Sequence, residues 1–296
     1  MTHAPSAAER GPSSLRGGRE PEPSTALRVA LVQYRPHRAE RPGEAVVANV
    51  QTHARLVERA HAEGARLVLF PELSLTGYEL EGFGLDESRP GSDEGPGPWT
   101  SENDERLRPL QESCSSTGTT AVVGAGWRDV DSTPRLASLV VGPDGSLRAV
   151  FKTHLHGLER QLFVPGTGPG ILTVDGWRIA LAVCADAAHP AHAAAAAQEK
   201  ADVYAVSALY VRGEEMRLGL HMGARSMDHR MFGLMANLGG ETALGASCGL
   251  TGVWNPSGAV VAQAAGSGPA AVMATLERSS LDQYRLEDQY RLDTGE

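Results

Sequence analysis

From Leu27 onward the chain alternates short apolar runs with longer amphipathic stretches. Leu27-Arg28-Val29-Ala30-Leu31-Val32-Gln33 has the length and composition of a strand. Across 44–63, Val46, Val50, Val57 and Ala60 recur at helical spacing, which predicts a helix with one face packed on a sheet. A second apolar run at 66–70 follows, and strand–helix–strand order implies a parallel crossover. A helix is predicted near 101–116. Strands are predicted near 119–127, 135–141 and 147–151, the last two joined by the turn Gly142-Pro143-Asp144-Gly145. The second half repeats the alternation. Its strands fall at 171–174, 177–183, 202–207 and 231–237, with a helix over about 214–229 and two closing strands near 259–263 and 270–276. This pattern shows no second core and predicts one large α/β domain over 26–278.

The flanks and one internal stretch break the pattern. Residues 1–25 are rich in Pro, Ser and Gly without apolar periodicity and read as a disordered leader. The tail 279–296 contains two copies of a six-residue repeat, Leu281-Asp282-Gln283-Tyr284-Arg285-Leu286 and its successor, too few for a solenoid. The stretch 79–106 carries nine acidic residues against Arg89 and Arg106, a balance of −7. It reads as a surface excursion, either simply solvated or overhanging the pocket mouth and disfavouring anionic substrates.

Charge and cysteine content narrow the classes. A net charge of −9 argues against nucleic acid or an anionic membrane as partner. Cys114, Cys184 and Cys248 are an odd number without metal-ligand spacing, which fits a reducing cytoplasm and a functional thiol. No apolar stretch approaches the roughly 20 residues of a membrane span, and the N-terminal residues lack the apolar core of a secretory signal.

Three predicted strands end on a reactive side chain. The run Gly176-Trp177-Arg178-Ile179-Ala180-Leu181-Ala182-Val183-Cys184-Ala185-Asp186 delivers a thiol into a turn before the alanine-rich stretch 187–197. A strand fixes such a thiol, and a following helix N-terminus favours thiolate. Alone, a cysteine there is more commonly a buried inert thiol. Leu67-Val68-Leu69-Phe70-Pro71-Glu72-Leu73-Ser74 puts a carboxylate beyond a second strand, and Ala149-Val150-Phe151-Lys152-Thr153-His154-Leu155 an amine beyond a third. Carboxylate, amine and thiol in that order are the parts of a cysteine hydrolase with a Glu base.

On these residues the chain resembles the nitrilase superfamily, the carbon–nitrogen hydrolases with a Glu-Lys-Cys triad. Phe70-Pro71-Glu72-Leu73-Ser74-Leu75-Thr76-Gly77-Tyr78 is similar to that family's first block, and Lys152-Thr153-His154-Leu155 with Phe163-Val164-Pro165-Gly166 to its second. Cys184-Ala185-Asp186 with His189-Pro190 resembles a degraded third block, usually Cys-aromatic-Asp-x-x-Phe-Pro-Glu. Ala224-Arg225-Ser226 through Met235-Ala236-Asn237, then Asn255-Pro256-Ser257-Gly258, resembles the closing blocks. The likeness runs over roughly residues 27–278 and implies an α-β-β-α sandwich.

The resemblance implies Cys184 as nucleophile, Glu72 as general base and Lys152 as oxyanion holder beside a backbone N–H, that of Ala185. It implies Glu159 as a supporting carboxylate and places Tyr78, Ala185 and His189 at the substrate. It implies no metal or organic cofactor, a small-molecule amide as partner, and a homodimer or larger assembly with the tail at a subunit interface. Cys114 and Cys248 read as packing residues, and His154 as packing or hydrogen-bonding rather than paired with His156 on a metal. Ala185, His189 and Ala191 stand where an aromatic, Phe and Glu are usual. Cys184-Ala185-Asp186 points to the amidase branches rather than to true nitrilases, which have Cys-Trp-Glu. The expected activity is hydrolysis of a small carboxamide through a thioester. The alternatives are an N-carbamoyl amidohydrolase, with Arg212 and Arg225 as candidate carboxylate ligands, and a catalytically silent binding or scaffold protein.

Overall fold

The structure, a computed structural model, describes residues 24–84 and 97–294. Residues 1–23 of the expected leader and residues 85–96 of the acidic stretch lie outside the described residues. In chain order, β1 (Ala26–Gln33), α1 (Pro42–Ala62) and β2 (Leu67–Leu69) form the first crossover unit. Then come β3 (Trp99–Thr100), α2 (Arg108–Thr117), β4 (Thr120–Arg128), β5 (Pro134–Val141), β6 (Leu147–Phe151) and the single-turn α3 (Glu159–Leu162). The second half runs β7 (Gly170–Val174), β8 (Trp177–Val183), α4 (Ala185–Ala188), α5 (Pro190–Gln198), β9 (Val203–Ala208), α6 (Glu215–His229) and β10 (Phe232–Asn237). The chain closes through β11 (Glu241–Thr242), β12 (Gly245–Ala246), β13 (Gly252–Trp254), β14 (Val260–Gln263), β15 (Ala270–Glu277) and α7 (Arg278–Thr294).

Two large sheets result, built alike, beside a small β11–β12 ribbon. The first has the order β15-β1-β2-β4-β5-β6, with β3 alongside β4, and the second β14-β13-β10-β9-β8-β7. Each has three central parallel strands, β1, β2 and β4 in one and β8, β9 and β10 in the other. Antiparallel strands flank both sets.

Alternation along the strands makes the layers. In β1, Leu27, Val29 and Leu31 point inward to Ile179, Leu181, Val203 and Leu234 of the second sheet. Ala30 and Val32 point outward onto Val46, Val50 and Val57 of α1. On the other side, Tyr204 and Val206 of β9 face Ala193 and Ala196 of α5 and Leu218 and Met222 of α6. This is the α-β-β-α sandwich that the resemblance implied.

Three details depart from the sequence expectations. The helix expected from 101 begins at Arg108, because Asp104 accepts the Arg106 amide at 3.0 Å and starts a 3₁₀ turn over 105–107. The strand β13 is absent from the sequence reading; at three residues it is too short to show a pattern. The tail is one continuous helix whose first turns dock on their own domain. Leu281 is fully buried in the inter-sheet core. The Arg278 guanidinium lies 4.2 Å over the Trp177 ring, and Arg285 reaches Asp202 at 3.0 Å.

Candidate active site

Glu72, Lys152 and Cys184 follow the C-terminal ends of β2, β6 and β8, so the site is assembled from both sheets. The Glu72 segment is held by contacts that leave no slack. Leu73 adopts a left-handed φ of 48°, which turns the chain back beneath β4. There Gly124 is pressed against the backbone: a Cβ on it would lie 2.2 Å from the Leu73 nitrogen and 2.4 Å from the Pro71 oxygen. The Gly124 amide donates to the Ser74 hydroxyl at 3.2 Å, and that hydroxyl pairs with His53 Nε2 at 3.0 Å. Burial pushes His53 down to about 3, so its ring is neutral, with Nδ1 on the Asn49 carbonyl. The neutral imidazole then accepts from Ser74, which accepts from Gly124.

Lys152 lies between two carboxylates. Its Nζ donates to Glu72 Oε1 at 2.6 Å and to Glu159 Oε1 at 2.7 Å, and all three side chains are without solvent exposure. Burial opposes the ammonium charge, but the nearby Glu72, Cys184 and Glu159 charges outweigh it and hold the Lys152 pKa above its ordinary value. Glu159 is fully satisfied: its Oε1 also accepts the Tyr78 hydroxyl, and its Oε2 accepts the His156 amide at 2.7 Å. Glu72 is not. Its Oε2 is buried with no hydrogen-bond partner. Burial, reinforced by Glu159 and opposed by Lys152, pushes the Glu72 carboxyl up to about 7.

Cys184 occupies a strained turn between β8 and α4, with φ 45° and ψ −97°. Such a backbone costs about 1–3 kcal/mol and persists only where surroundings over-determine it. Here the Cys184 amide is held by the Ser207 carbonyl at 2.9 Å, and Sγ points to the Leu209 carbonyl at 3.6 Å. Burial and the Glu72 charge push the thiol up, so the resting sulfur is protonated. Desolvation here opposes the thiolate that a helix N-terminus would favour.

Two residues that sequence reasoning missed register these segments against one another. Ser207 gives its carbonyl to the Cys184 amide and its hydroxyl to the Phe70 carbonyl at 2.7 Å, two residues before Glu72. Asp186 accepts the Val183 amide at 3.0 Å, the His154 amide at 2.8 Å and the His154 Nδ1 at 2.8 Å, tying the cysteine turn to the lysine segment. Nothing short-range in the sequence marks Ser207. Asp186 belongs to the third block but was given no role of its own.

The remaining candidates are placed as follows. Tyr78 is buried, with its hydroxyl on Glu159. Ala185 opens α4, so its amide has no carbonyl one turn below to bond. His189 is exposed and stacks on His154 with ring centroids 3.8 Å apart. Arg225 is engaged by the Ala187 carbonyl at 3.1 Å and lies 3.9 Å from Asp228, whereas Arg212 is exposed. Cys114 and Cys248 are buried free thiols in two different apolar clusters. Among the described residues, no group of three or more His, Cys, Asp or Glu is arranged to hold a metal ion, and no helix is long and apolar enough to cross a membrane.

The carbon-nitrogen hydrolase family profile matches residues 28–286. The chain belongs to the carbon-nitrogen hydrolase family and is a hydrolase of carbon–nitrogen bonds. A hydrolase from the pqqF 5′ region of Pseudomonas protegens is 27% identical over 271 residues, 90% of this chain and 88% of that protein. A nitrilase from Pyrococcus abyssi is 29% identical over 220 residues, 73% of this chain and 76% of that protein. Among solved structures, Saccharomyces cerevisiae Nit3, a member of branch 10 of the nitrilase superfamily, superposes with a TM-score of 0.76 at 20% identity. That match covers 90% of this chain and 95% of Nit3. The NitN amidase from Nesterenkonia sp. AN1 superposes with a TM-score of 0.72 at 23% identity, over 90% of this chain and 98% of that one.

Proposed function

We propose that the protein is an amidase that hydrolyses a small carboxamide to carboxylic acid and ammonia through a thioester on Cys184. The observation that carries this reading is the free Oε2 of Glu72: a buried carboxylate oxygen without a partner, on a carboxyl poised at about 7, beside a thiol that must lose its proton. A group with that pKa can both take and return a proton near neutral pH.

In this reading Cys184 Sγ attacks the carbonyl carbon as its proton passes to Glu72. Lys152 has three N–H donors and two are engaged by the carboxylates, which leaves one for the developing oxyanion. The Ala185 amide supplies the second donor. The tetrahedral intermediate collapses, the C–N bond breaks, and Glu72 returns the proton to the departing ammonia. Water then attacks the thioester, giving its proton to Glu72. Collapse of the second intermediate releases the acid, and the thiol is reprotonated.

Two features favour an amide over a nitrile: the Cys184-Ala185-Asp186 run, and the amidase among the structural neighbours. The N-carbamoyl alternative loses support from Arg225, whose guanidinium is already engaged. Ammonia release from a panel of primary amides, N-carbamoyl amino acids and nitriles tests the reading. Primary amides are expected to be turned over fastest, and a preference for either other class would overturn it. We further propose that the catalytic domain spans residues 26–278 and that the protein works as a homo-oligomer.

A further inference from the structure

Three imidazoles surround the Asp186 carboxylate where the cysteine turn meets the lysine segment. His154 Nδ1 lies 2.8 Å from Oδ1, and His192 Nε2 lies 3.8 Å from Oδ2. His189 stacks on His154, with the rings 9° from parallel and their centroids 3.8 Å apart, and His192 meets His154 edge-on at 5.9 Å. The same carboxylate accepts the Val183 amide at 3.0 Å and the His154 amide at 2.8 Å. It therefore fixes the residue before Cys184 to the second residue after Lys152. The His189 amide returns to the Asp186 carbonyl at 3.1 Å, which brings the exposed His189 ring over one face of His154. Covering that face keeps water from the His154–Asp186 contact and strengthens it.

Charge limits when this stack can hold. Asp186 touches the ring of His154, and one carboxylate pairs one imidazolium. A proton on both stacked rings would put like charges 3.8 Å apart. The other groups facing the cluster are a buried imidazole, a phenol and a cation. Burial holds His192 below its ordinary pKa, with Nδ1 on the Tyr204 hydroxyl at 2.9 Å. Arg225, 3.9 Å from Asp228, reaches the Ala187 carbonyl beside Asp186 at 3.1 Å. Burial and the neighbouring His154 also hold His189 below its ordinary value, against the pull of Asp186. A ring whose pKa is lower in the stack than in water takes its proton more readily once unstacked. Acid therefore favours the open state, and the stack is lost as pH falls below about 6.5.

Building on the amidase reading, we propose that His189 is a positioning residue: stacked and neutral, it holds His154 on Asp186 and keeps Lys152 in register with Cys184, and its protonation releases that register. The test is kcat and KM for the best primary amide from about pH 4.5 to about pH 8 in the wild type, His189→Phe and His189→Ala. Each profile is referred to its own value at the alkaline end, and the imidazole protons are titrated by NMR in the same proteins. Glu72 supplies one ionisation, so log kcat/KM of His189→Phe, which stacks without titrating, should fall in acid with a slope of about one. The wild type should approach a slope of about two, and by about pH 5 should lie roughly tenfold below His189→Phe. His189→Ala, which cannot stack, should lose kcat on the order of tenfold at every pH, and phenylalanine should recover part of that loss. In the NMR titration the stacked pair should take up protons in two steps at least about one pH unit apart, the lower of which disappears in His189→Phe. Coincident profiles for the wild type and His189→Phe, rings that titrate together, or an effect confined to KM each overturn the inference while leaving the amidase reading intact. Failure of every amide, with the two titration steps still separated, overturns the amidase reading and the catalytic role of His189 with it.

Discussion

The two sheets contribute to the site in opposite ways. The first supplies Glu72 and Lys152, both without solvent exposure and bonded to each other through a carboxylate–ammonium contact of 2.6 Å. The second supplies Cys184, which keeps part of its surface open and is fixed by a strained backbone and one weak Sγ contact to the Leu209 carbonyl. The difference follows from what each group must do. Buried charges must be paired and satisfied or the fold does not tolerate them. A nucleophile must meet a substrate arriving from solvent, so it is aimed by the main chain and left uncovered. The dry charges and the open thiol stay in register because Ser207 and Asp186 bridge the segments that carry them.

This contrast predicts that the two halves fail differently. Cys184→Ala should lower kcat by roughly 10⁴-fold or more with little change in thermal stability, since a half-buried thiol contributes little packing. Lys152→Ala should remove activity and also destabilise the fold by about 3–5 kcal/mol, because Glu72 and Glu159 would be left buried without their cation. Denaturant unfolding of the two variants checks this. Equal stability loss in both would erase the distinction between the sheets.

Gly124→Ala strikes the support of the first sheet without touching a charged group. With a Cβ 2.2 Å from the Leu73 nitrogen, the Glu72 turn must move. The expected cost is about 1–3 kcal/mol of stability and on the order of 100-fold in kcat from a displaced base. Wild-type turnover in this variant would show that the turn has slack.

Ser207→Ala probes the bridge. It leaves the Phe70 carbonyl without its side-chain donor, at about 1–3 kcal/mol, and should lower kcat on the order of tenfold with KM nearly unchanged, because base and nucleophile lose their register. A rise in KM alone would make Ser207 a purely structural residue. The smallest effect on turnover belongs far from the site. Asp202→Asn weakens the ion pairs from Arg278 and Arg285 that dock α7; the arginines are partly exposed, but Asp202 is buried and also accepts the Arg178 amide. A stability loss of about 1–3 kcal/mol with unchanged kcat is expected.

The reacting groups were legible in the sequence because each sits directly after an apolar run, where strand length fixes position and a polar side chain stands out. Glu159 was legible through its place between the lysine and cysteine segments. The residues that tune and align them were not. Ser207 touches Phe70 across 137 positions of chain, and no local period announces that contact. Gly124 interrupts an apolar strand as an ordinary small residue would, and only the close approach of the Glu72 turn gives it a purpose. The resemblance places Tyr78 at the substrate, and the contact of its hydroxyl with Glu159 is one that no local pattern announces. The tail hid its helix behind a six-residue repeat, and the docking of Leu281 depends on a core made elsewhere.

The central claim is that Glu72, held near neutrality by burial, takes the proton of Cys184. The rate of Cys184 alkylation by iodoacetamide as a function of pH, in the wild type and in Glu72→Gln, tests it most directly. Glu72 must be ionised to accept a proton, so its raised pKa predicts a wild-type rate that climbs as pH rises through about 7 and falls away below it. Glu72→Gln should lack that limb and react slowly until the pH approaches the thiol's own elevated pKa. Coincident profiles for the two proteins would contradict the account.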